Sequence, residues 1–435
     1  MGTAEAELLP SVADGFSLAA TGDCLATRPL APTLERDPGS AEVVALLRGA
    51  TVAFGNMETS ILDIRGFTGA PRTVEDWGMF GPPSVATDLA ALGFRLMSRA
   101  NNHAMDWGAE GMRETGRHAD AAGIVHAGAG ERLANARAPR YVETPKGRVG
   151  LVSMVSMPRW DQDAALDPFG EVPGRPGVNA LRLQRTITVP PAALEALQEL
   201  ARTMEPWAEQ RHAEVSVLDS RFVEGPAVEV HHEPDPDDLR QILRASRLGK
   251  QHADALVVSA HIHEEGPDAA TPPPFLVDLA RATIDAGADV FVGHGVHRLW
   301  PVEMHAGRPI LYGLGNFIWS DLVEGVHGGL FASAHASGAP LHPHATDADV
   351  NATLAGYVDD GYSRSVVAEA VFGGGTWELR LHPIDLGLGG PLTNRGIPRT
   401  ADPETAAAIL KHLQTISEPF GTTVVLQDGI GIVRA

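Results

Sequence analysis

Five times along this chain a short apolar run stops at side chains that hold metals or move protons. Phe16–Thr21 runs into Gly22-Asp23. Thr51–Phe54 closes on Gly55-Asn56-Met57-Glu58. Phe94–Met97 leads to Ser98-Arg99-Ala100-Asn101-Asn102-His103-Ala104-Met105-Asp106. Ala255–Ala260 meets His261-Ile262-His263-Glu264-Glu265, and Asp289–Val292 meets Gly293-His294-Gly295-Val296-His297. Short apolar runs bounded by turn formers read as buried strands. Helical patterns fall between them, at about 41–47, 82–92, 109–122 and 272–286. Such alternation predicts an α/β fold. Ligand sites in open α/β sheets lie beyond the carboxyl ends of the strands. If these strands share a sheet, all five polar loops converge on one rim.

At 435 residues the chain can bury a large core, in one big domain or roughly two or three smaller ones. The formal charge of −21 argues against a nucleic-acid backbone or an anionic membrane as partner. The single cysteine, Cys24, excludes an internal disulfide framework and fits a reducing compartment. No apolar run reaches the roughly 18–20 residues of a membrane span. The first residues, through Glu5 and Glu7, carry acids where a signal peptide carries basic side chains. A soluble cytoplasmic protein is the expectation. The α/β order covers residues 15–157 and resumes over 251–330. Between them, 158–250 is punctuated by prolines, with helices expected at about 192–211 and 236–247, and reads as a helical insertion. Residues 331–435 read as a C-terminal extension that completes the domain, with a His-rich loop, a hairpin of 366–372 with 376–382, a helix at 403–416 and two short strands.

Imidazole, carboxylate and amide oxygen gathered at strand exits are the ligands of a divalent metal and the groups of acid/base catalysis. Asp106 follows His103 by three residues, which on a helical turn sets the carboxylate beside the imidazole. The order Gly22-Asp23, Asn56-x-Glu58, Asn101-Asn102-His103-x-x-Asp106-x-Gly108, Ala260-His261-x-His263-x-Glu265, Gly293-His294-x-x-His297, then Leu314-Gly315-Asn316-Phe317 resembles the capsule-synthesis (CapA-like) family of the calcineurin-like metallophosphatase superfamily. The resemblance covers about 16–157 and 250–320. It implies a four-layer αββα sandwich, here with an inserted helical segment and a C-terminal α+β extension, and a metal centre at the strand rim. It implies Asp23, Glu58, Asn102, His261 and His294 as residues facing the metal. His103 would be the acid/base with Asp106 beside it, and His297 either a second imidazole ligand or a second acid/base. Two departures stand out. No His follows Asp23 at the second position on, and Glu58 stands where a metal-bridging Asp is expected. Fewer ligands favour one divalent ion over two. The Asp, Glu and Asn oxygens favour a hard ion, Ca²⁺, Mg²⁺ or Mn²⁺, in competition with Zn²⁺.

Among CapA-like proteins, the whole chain most resembles the peptide epimerases of siamycin-type lasso-peptide biosynthesis. That resemblance implies inversion of the C-terminal Trp of a ribosomal precursor peptide, with no organic cofactor. Epimerising a Cα needs a base on one face and an acid on the other, roles that His103 with Asp106 and His297 with Asp23 would fill. Arg65, Arg72 and Arg99 are candidates to clamp the terminal carboxylate. Trp77 and Trp107, with Phe80, Trp300 and Trp319, are candidates for an indole pocket. Two other readings remain open: a metal-dependent hydrolase of an amide, γ-glutamyl or phosphate-ester bond, and a non-catalytic capsule-assembly protein.

Overall fold

The computed structural model describes residues 9–34, 37–72, 79–156, 163–204, 214–217, 220–320, 342, 344–346, 349, 360–391 and 394–434. Its first strand, Phe16–Leu25, is buried along its whole length and forms the spine of the larger sheet. On one side the strands Val52–Met57, Phe94–Ser98 and Val125–Ala127 run parallel to it. On the other lies Arg364–Gly373, antiparallel, followed by Thr376–Asp385 and the C-terminal strand Ile430–Arg434. Asn316–Trp319 adds in parallel beyond Asp23. A second sheet takes Val302–His305, Arg308–Leu311, Val290–His294, Ala255–His261, Gly147–Val155 and Arg140–Thr144 in that order. Its middle four strands are parallel.

Strand side chains alternate between faces, and here the alternation sorts two cores. Leu18, Ala20, Val52, Phe54 and Leu96 point toward the second sheet and share one cluster with its Val149, Leu151, Val257 and Val292. Their neighbours Ala19, Ala53 and Met97 point the other way. They pack on Val43 and Leu47 of the helix Pro38–Gly49 and on Val85 and Leu89 of the helix Ser84–Leu92. The outer face of the second sheet carries a helix as well. A Cβ at Gly249, in the helix Pro236–Gln251, would lie 3.0 Å from Leu256 Cδ1 and 3.6 Å from Val152 Cγ2. The helix Pro274–Asp285 buries Phe275, Leu276, Leu279 and Ile284. Each such side chain, fully buried, stabilises the fold by about 1.5–3 kcal/mol.

The C-terminal residues are part of this core. Val366, Ala368, Leu379 and Leu381, with Ile409 and Leu413 of the helix Pro403–Ser417, join the cluster between the sheets. The helical insertion expected at 158–250 is in part a sheet. Leu181–Gln241 forms a compact unit of its own. In it Leu183–Val189, Glu214–Val217, Ser220–Glu224 and Glu229–Pro234 make four strands, with the helix Pro191–Met204 beside them. Ile187 and Val189, with Val215 and Val217, alternate with polar residues, and this apolar face packs on Leu194 and Ala201. That alternation is short and scattered among prolines, so helical periodicity dominates the sequence pattern. The His-rich stretch 327–344 lies almost wholly outside the described residues. Among the described residues, no helix is long and apolar enough to cross a membrane.

One close approach marks the first strand just before Asp23, where its register with both neighbours shifts. A Cβ at Gly22 would sit 1.8 Å from the Gly315 carbonyl oxygen, the atom that accepts a hydrogen bond from the Asp23 N–H at 3.1 Å. Both partners are backbone, so no side-chain rotation relieves the clash. We expect Gly22→Ala to cost about 2–3 kcal/mol, read as a lower denaturation midpoint in urea. An unchanged midpoint would show that the two strands separate more easily than this packing implies.

Candidate metal centre

Parallel strands in register end level with one another, and this gathers the polar exits. Asp23 is paired with both Asn56 and Asn316. Asn56 is paired with Ser98, just before Asn101. On the second sheet His261 is paired with His294. Asp23, Asn56, Glu58 and His261 are completely buried, and His294 nearly so.

Two groups of three possible ligands adjoin here: Asp23, His261 and His294, and Glu58, His263 and His297. The His261 and His263 Nε2 atoms, 3.0 Å apart, connect them. Asn102 Oδ1 lies 2.9 Å from His261 Nε2, and Glu58 Oε1 lies 3.5 Å from it. His294 turns its Nε2 to Ser259 Oγ at 2.7 Å and its Nδ1 to His261 Nδ1 at 2.9 Å. With His261 Nδ1–H donating to His294, the His261 Nε2 lone pair faces Asn102, Glu58 and His263. Asn56 Nδ2 donates to Asp23 Oδ1 at 2.9 Å and Glu58 Oε2 at 3.3 Å, and lies 3.2 Å from His261 Nδ1. The Gly295 N–H donates to Asp23 Oδ2 at 3.0 Å.

Two imidazoles stand at the edge of this cluster, each fixed by a carboxylate. His103 Nδ1 is 2.7 Å from Asp106 Oδ2. His297 Nδ1 is 3.2 Å from Asp23 Oδ2 and 2.9 Å from Asn316 Oδ1. His297 also has a left-handed backbone, φ 58°. Its ring stacks on Tyr362 at 5.9 Å and meets Trp319 edge-on at 5.2 Å.

The electrostatics push the two buried carboxyls apart. Burial raises the Asp23 pKa, but the His297 hydrogen bond and the surrounding imidazoles outweigh it and hold the group well below the usual carboxylate range. Burial, and then the Asp23 charge, push Glu58 well above that range. Burial and neighbouring imidazoles hold His263 down at about 3, and burial holds His294 at about 4. These histidines are therefore neutral near pH 7, the form that binds metal.

The donor set fits a divalent cation. Glu58 Oε1 is buried without a hydrogen-bond partner among the described residues, and the atoms around it are lone-pair donors. Ligands held at about 2.0–2.2 Å from one ion lie roughly 3–3.5 Å from each other, which is the spacing of Glu58 Oε1, Asn102 Oδ1 and His263 Nε2 about His261 Nε2. Cys24 takes no part: its side chain lies in the core on the helix side of the sheet.

Residues 17–321 match the family model of the bacterial capsule synthesis protein PGA_cap. The chain belongs to the PGA_cap family. It is 43% identical over 441 residues to the protein y4sH of Sinorhizobium fredii (strain NBRC 101917 / NGR234), covering 98% of this chain and 94% of y4sH. It is 24% identical over 277 residues to the PGA biosynthesis protein CapA of Bacillus subtilis (strain 168), covering 64% of this chain and 55% of CapA. It is 28% identical over 247 residues to a probable polyglutamine synthesis accessory protein of Mycobacterium tuberculosis (strain CDC 1551 / Oshkosh), covering 57% of this chain and 50% of that protein. The match thus spans about half the length of these last two relatives.

Within this PGA_cap chain, Asp23, Glu58, Asn102, His103, Asp106, His261, His294 and His297 lie at one rim. The expected substrate-binding residues do not. Arg99 turns under the helix Gly108–Ala121, where it is buried and its Nη2 donates to Met112 O at 2.5 Å. Trp107 is buried between Phe67 and Phe80, at 5.6 and 5.2 Å. Arg72 pairs with the buried Asp163 at 2.6 Å, so its guanidinium already holds a carboxylate. Arg65 is exposed and Trp300 is buried in the core. Trp77 lies outside the described residues. Trp319 stands edge-on against the His297 imidazole. His263, Asn56, Asn316 and Tyr362 were not assigned roles from sequence. The His-x-His spacing at a strand end pointed to the first, and nothing local pointed to Tyr362.

We expect Mn²⁺ to bind the wild-type protein and raise its stability by about 2.7 kcal/mol at a free concentration one hundred times Kd. His261→Ala is expected to weaken that binding at least about 100-fold, since it removes a shared ligand. Calorimetric titration of both proteins checks this, and equal affinity in the variant would contradict the site.

Proposed function

We propose that this protein is a metal-dependent peptide epimerase that inverts the Cα of a C-terminal residue, Trp in our reading, of a ribosomal lasso-peptide precursor in the cytoplasm. The observation that carries it is the pair of imidazole–carboxylate couples beside one donor cluster, His103 with Asp106 and His297 with Asp23. In each, the imidazole is the accessible member: the histidine side chains are 11% and 13% exposed, their carboxylates 2% and 0%. The calcineurin-like αββα sandwich belongs to the same reading, supported by two sheets packed face to face with helices outside. The M. tuberculosis relative is named for polyglutamine synthesis, and a substrate built of amino acids suits that family background.

The chemistry breaks and remakes one bond, Cα–H. One imidazole takes the proton through Nε2 and the other, protonated, returns one to the opposite face. Each carboxylate holds its ring with the proton on Nδ1 and stabilises the imidazolium that forms. A bound divalent cation supplies electrostatic stabilisation for the negative charge that builds next to Cα as the proton leaves. Glu58, Asn102, His261 and His263 would hold it. Asp23, Glu58, His261 and His294 are buried, while Asn102, His263 and the two acid/base imidazoles lie toward the accessible side.

A second reading has its own support. The two donor triads adjoin, as the ligands of a two-ion hydrolase do, and such a site would cleave an amide, γ-glutamyl or phosphate-ester bond. Incubation with a Trp-terminated precursor peptide in D₂O separates the two. Epimerisation gives a one-unit mass gain with an intact backbone and D-Trp on hydrolysis. His103→Ala and His297→Ala should each slow it by about 10²–10⁴-fold. Cleavage products would favour the hydrolase. An unaltered peptide, with ion bound, would count against epimerisation and leave the capsule-assembly role in its place.

A further inference from the structure

The side chain of Asn56 can be oriented from its neighbours alone. Asn101 Nδ2 donates to the Met57 carbonyl at 2.8 Å, and Asn101 Oδ1 accepts from the His103 N–H at 3.2 Å. Both ends of Asn101 are thereby fixed, and flipping it would set donor against donor and acceptor against acceptor. The second hydrogen of Asn101 Nδ2 goes to Asn56 at 3.0 Å, so the atom it meets is the acceptor, Oδ1. The NH₂ of Asn56 therefore faces the ligand cluster. It lies within 3.3 Å of one atom each of Asp23, His261 and Glu58.

Two of those three, Asp23 Oδ1 and His261 Nδ1, belong to the first donor triad, whose third member is His294. An N–H group carries positive partial charge, takes a lone pair a cation would use at Asp23 Oδ1, and cannot itself be a ligand; the His261 Nδ1 lone pair is already taken by the hydrogen donated to His294. The triad of Glu58, His263 and His297, with His261 Nε2 and Asn102 Oδ1, meets that amide only at Glu58 Oε2, at 3.3 Å, and its other oxygen, Oε1, accepts no hydrogen bond among the described residues.

We propose that the Asn56 amide restricts the centre to a single divalent cation. It does so by filling the Asp23–His261–His294 group with hydrogen-bond donors, leaving the Glu58–Asn102–His261–His263 side for the ion. This rests on the metal-dependent reading above and sharpens it. Asp23, hydrogen-bonded to Asn56 and the Gly295 N–H, is kept as the partner of His297 rather than as a ligand. A carboxylate at position 56 would reverse this: it adds an oxygen ligand and a negative charge between the two triads, the arrangement a bridged ion pair requires. Asn56 is thus a positioning residue, acting through Asp23 and His261.

The test counts Mn²⁺. Equilibrium dialysis with metal analysis should saturate the wild-type protein at one ion per chain, with the electron paramagnetic resonance spectrum of an isolated ion. Asn56→Asp should saturate at two, with the spectrum of an exchange-coupled pair. A wild type that takes two ions, or none, overturns the proposal. So does a folded Asn56→Asp variant that still takes one. If the variant fails to fold, the wild-type count and spectrum decide alone. The epimerase reading is judged separately by deuterium entry at Cα. One ion in the wild type and two in the variant, without exchange, would leave the role of Asn56 intact and remove the epimerase.

Discussion

Asp23 and Glu58 place two carboxyls where solvent does not reach, and the arrangement of the neighbouring groups follows from that demand. Burying one unpaired carboxylate is costly, and two close together cannot both stay ionised without compensation. The protein answers with neutral donors rather than a basic side chain. The Asn56 amide, the Gly295 N–H and three imidazoles surround the pair. The compensation is unequal: Asp23 takes most of the hydrogen bonds, while Glu58 keeps one oxygen unpartnered. Glu58 therefore keeps an unmet polar demand of the kind a divalent ion could satisfy, while Asp23 is more fully hydrogen-bonded.

Backbone register makes this possible. The residues concerned come from strands far apart in sequence, and each side chain is short. Asn, Asp and His reach one another across a sheet rim only if the strands end at the same level. Asp23 opposite Asn56 and Asn316, and His261 opposite His294, meet that condition. The close passage of Gly22 against Gly315 holds the first strand against its neighbour just before Asp23. Packing of Phe54, Leu96, Leu151 and Val257 between the sheets then transmits the register of one rim to the other.

The parts of this that depend on local pattern were legible in the sequence. Apolar runs with polar exits announce strands and the chemistry at their ends, and all five exits reach the rim. Direction and partner are another matter. Arg99 and Trp107 sit in the same loop as Asn102 and His103, yet both turn into the body of the protein. The helix that follows the loop offers a carbonyl to Arg99, and Leu62, Phe67 and Phe80 form a hydrophobic slot for Trp107. Asn56 reads only as one polar group at a strand exit, and its amide is fixed by Asn101, forty-five positions later. The sheet within Leu181–Gln241 escaped because its strands pair over long separations and each is too short for its alternation to outweigh the helical stretches around it.

His297 has the left-handed backbone that asparagine and glycine adopt more comfortably, just after Gly295, which shares it. The loop is thus built at some expense to folding, for a ring held between Tyr362, Trp319 and Asp23. Glycine at 297 would relieve that expense and erase the imidazole together. Evolution or engineering for thermal robustness alone would therefore drift toward a sturdier, silent homologue. Under the epimerase reading proposed above, the identity of residue 297, more than overall similarity, is the character by which relatives with the His297–Asp23 couple would be sorted from those with only the scaffold.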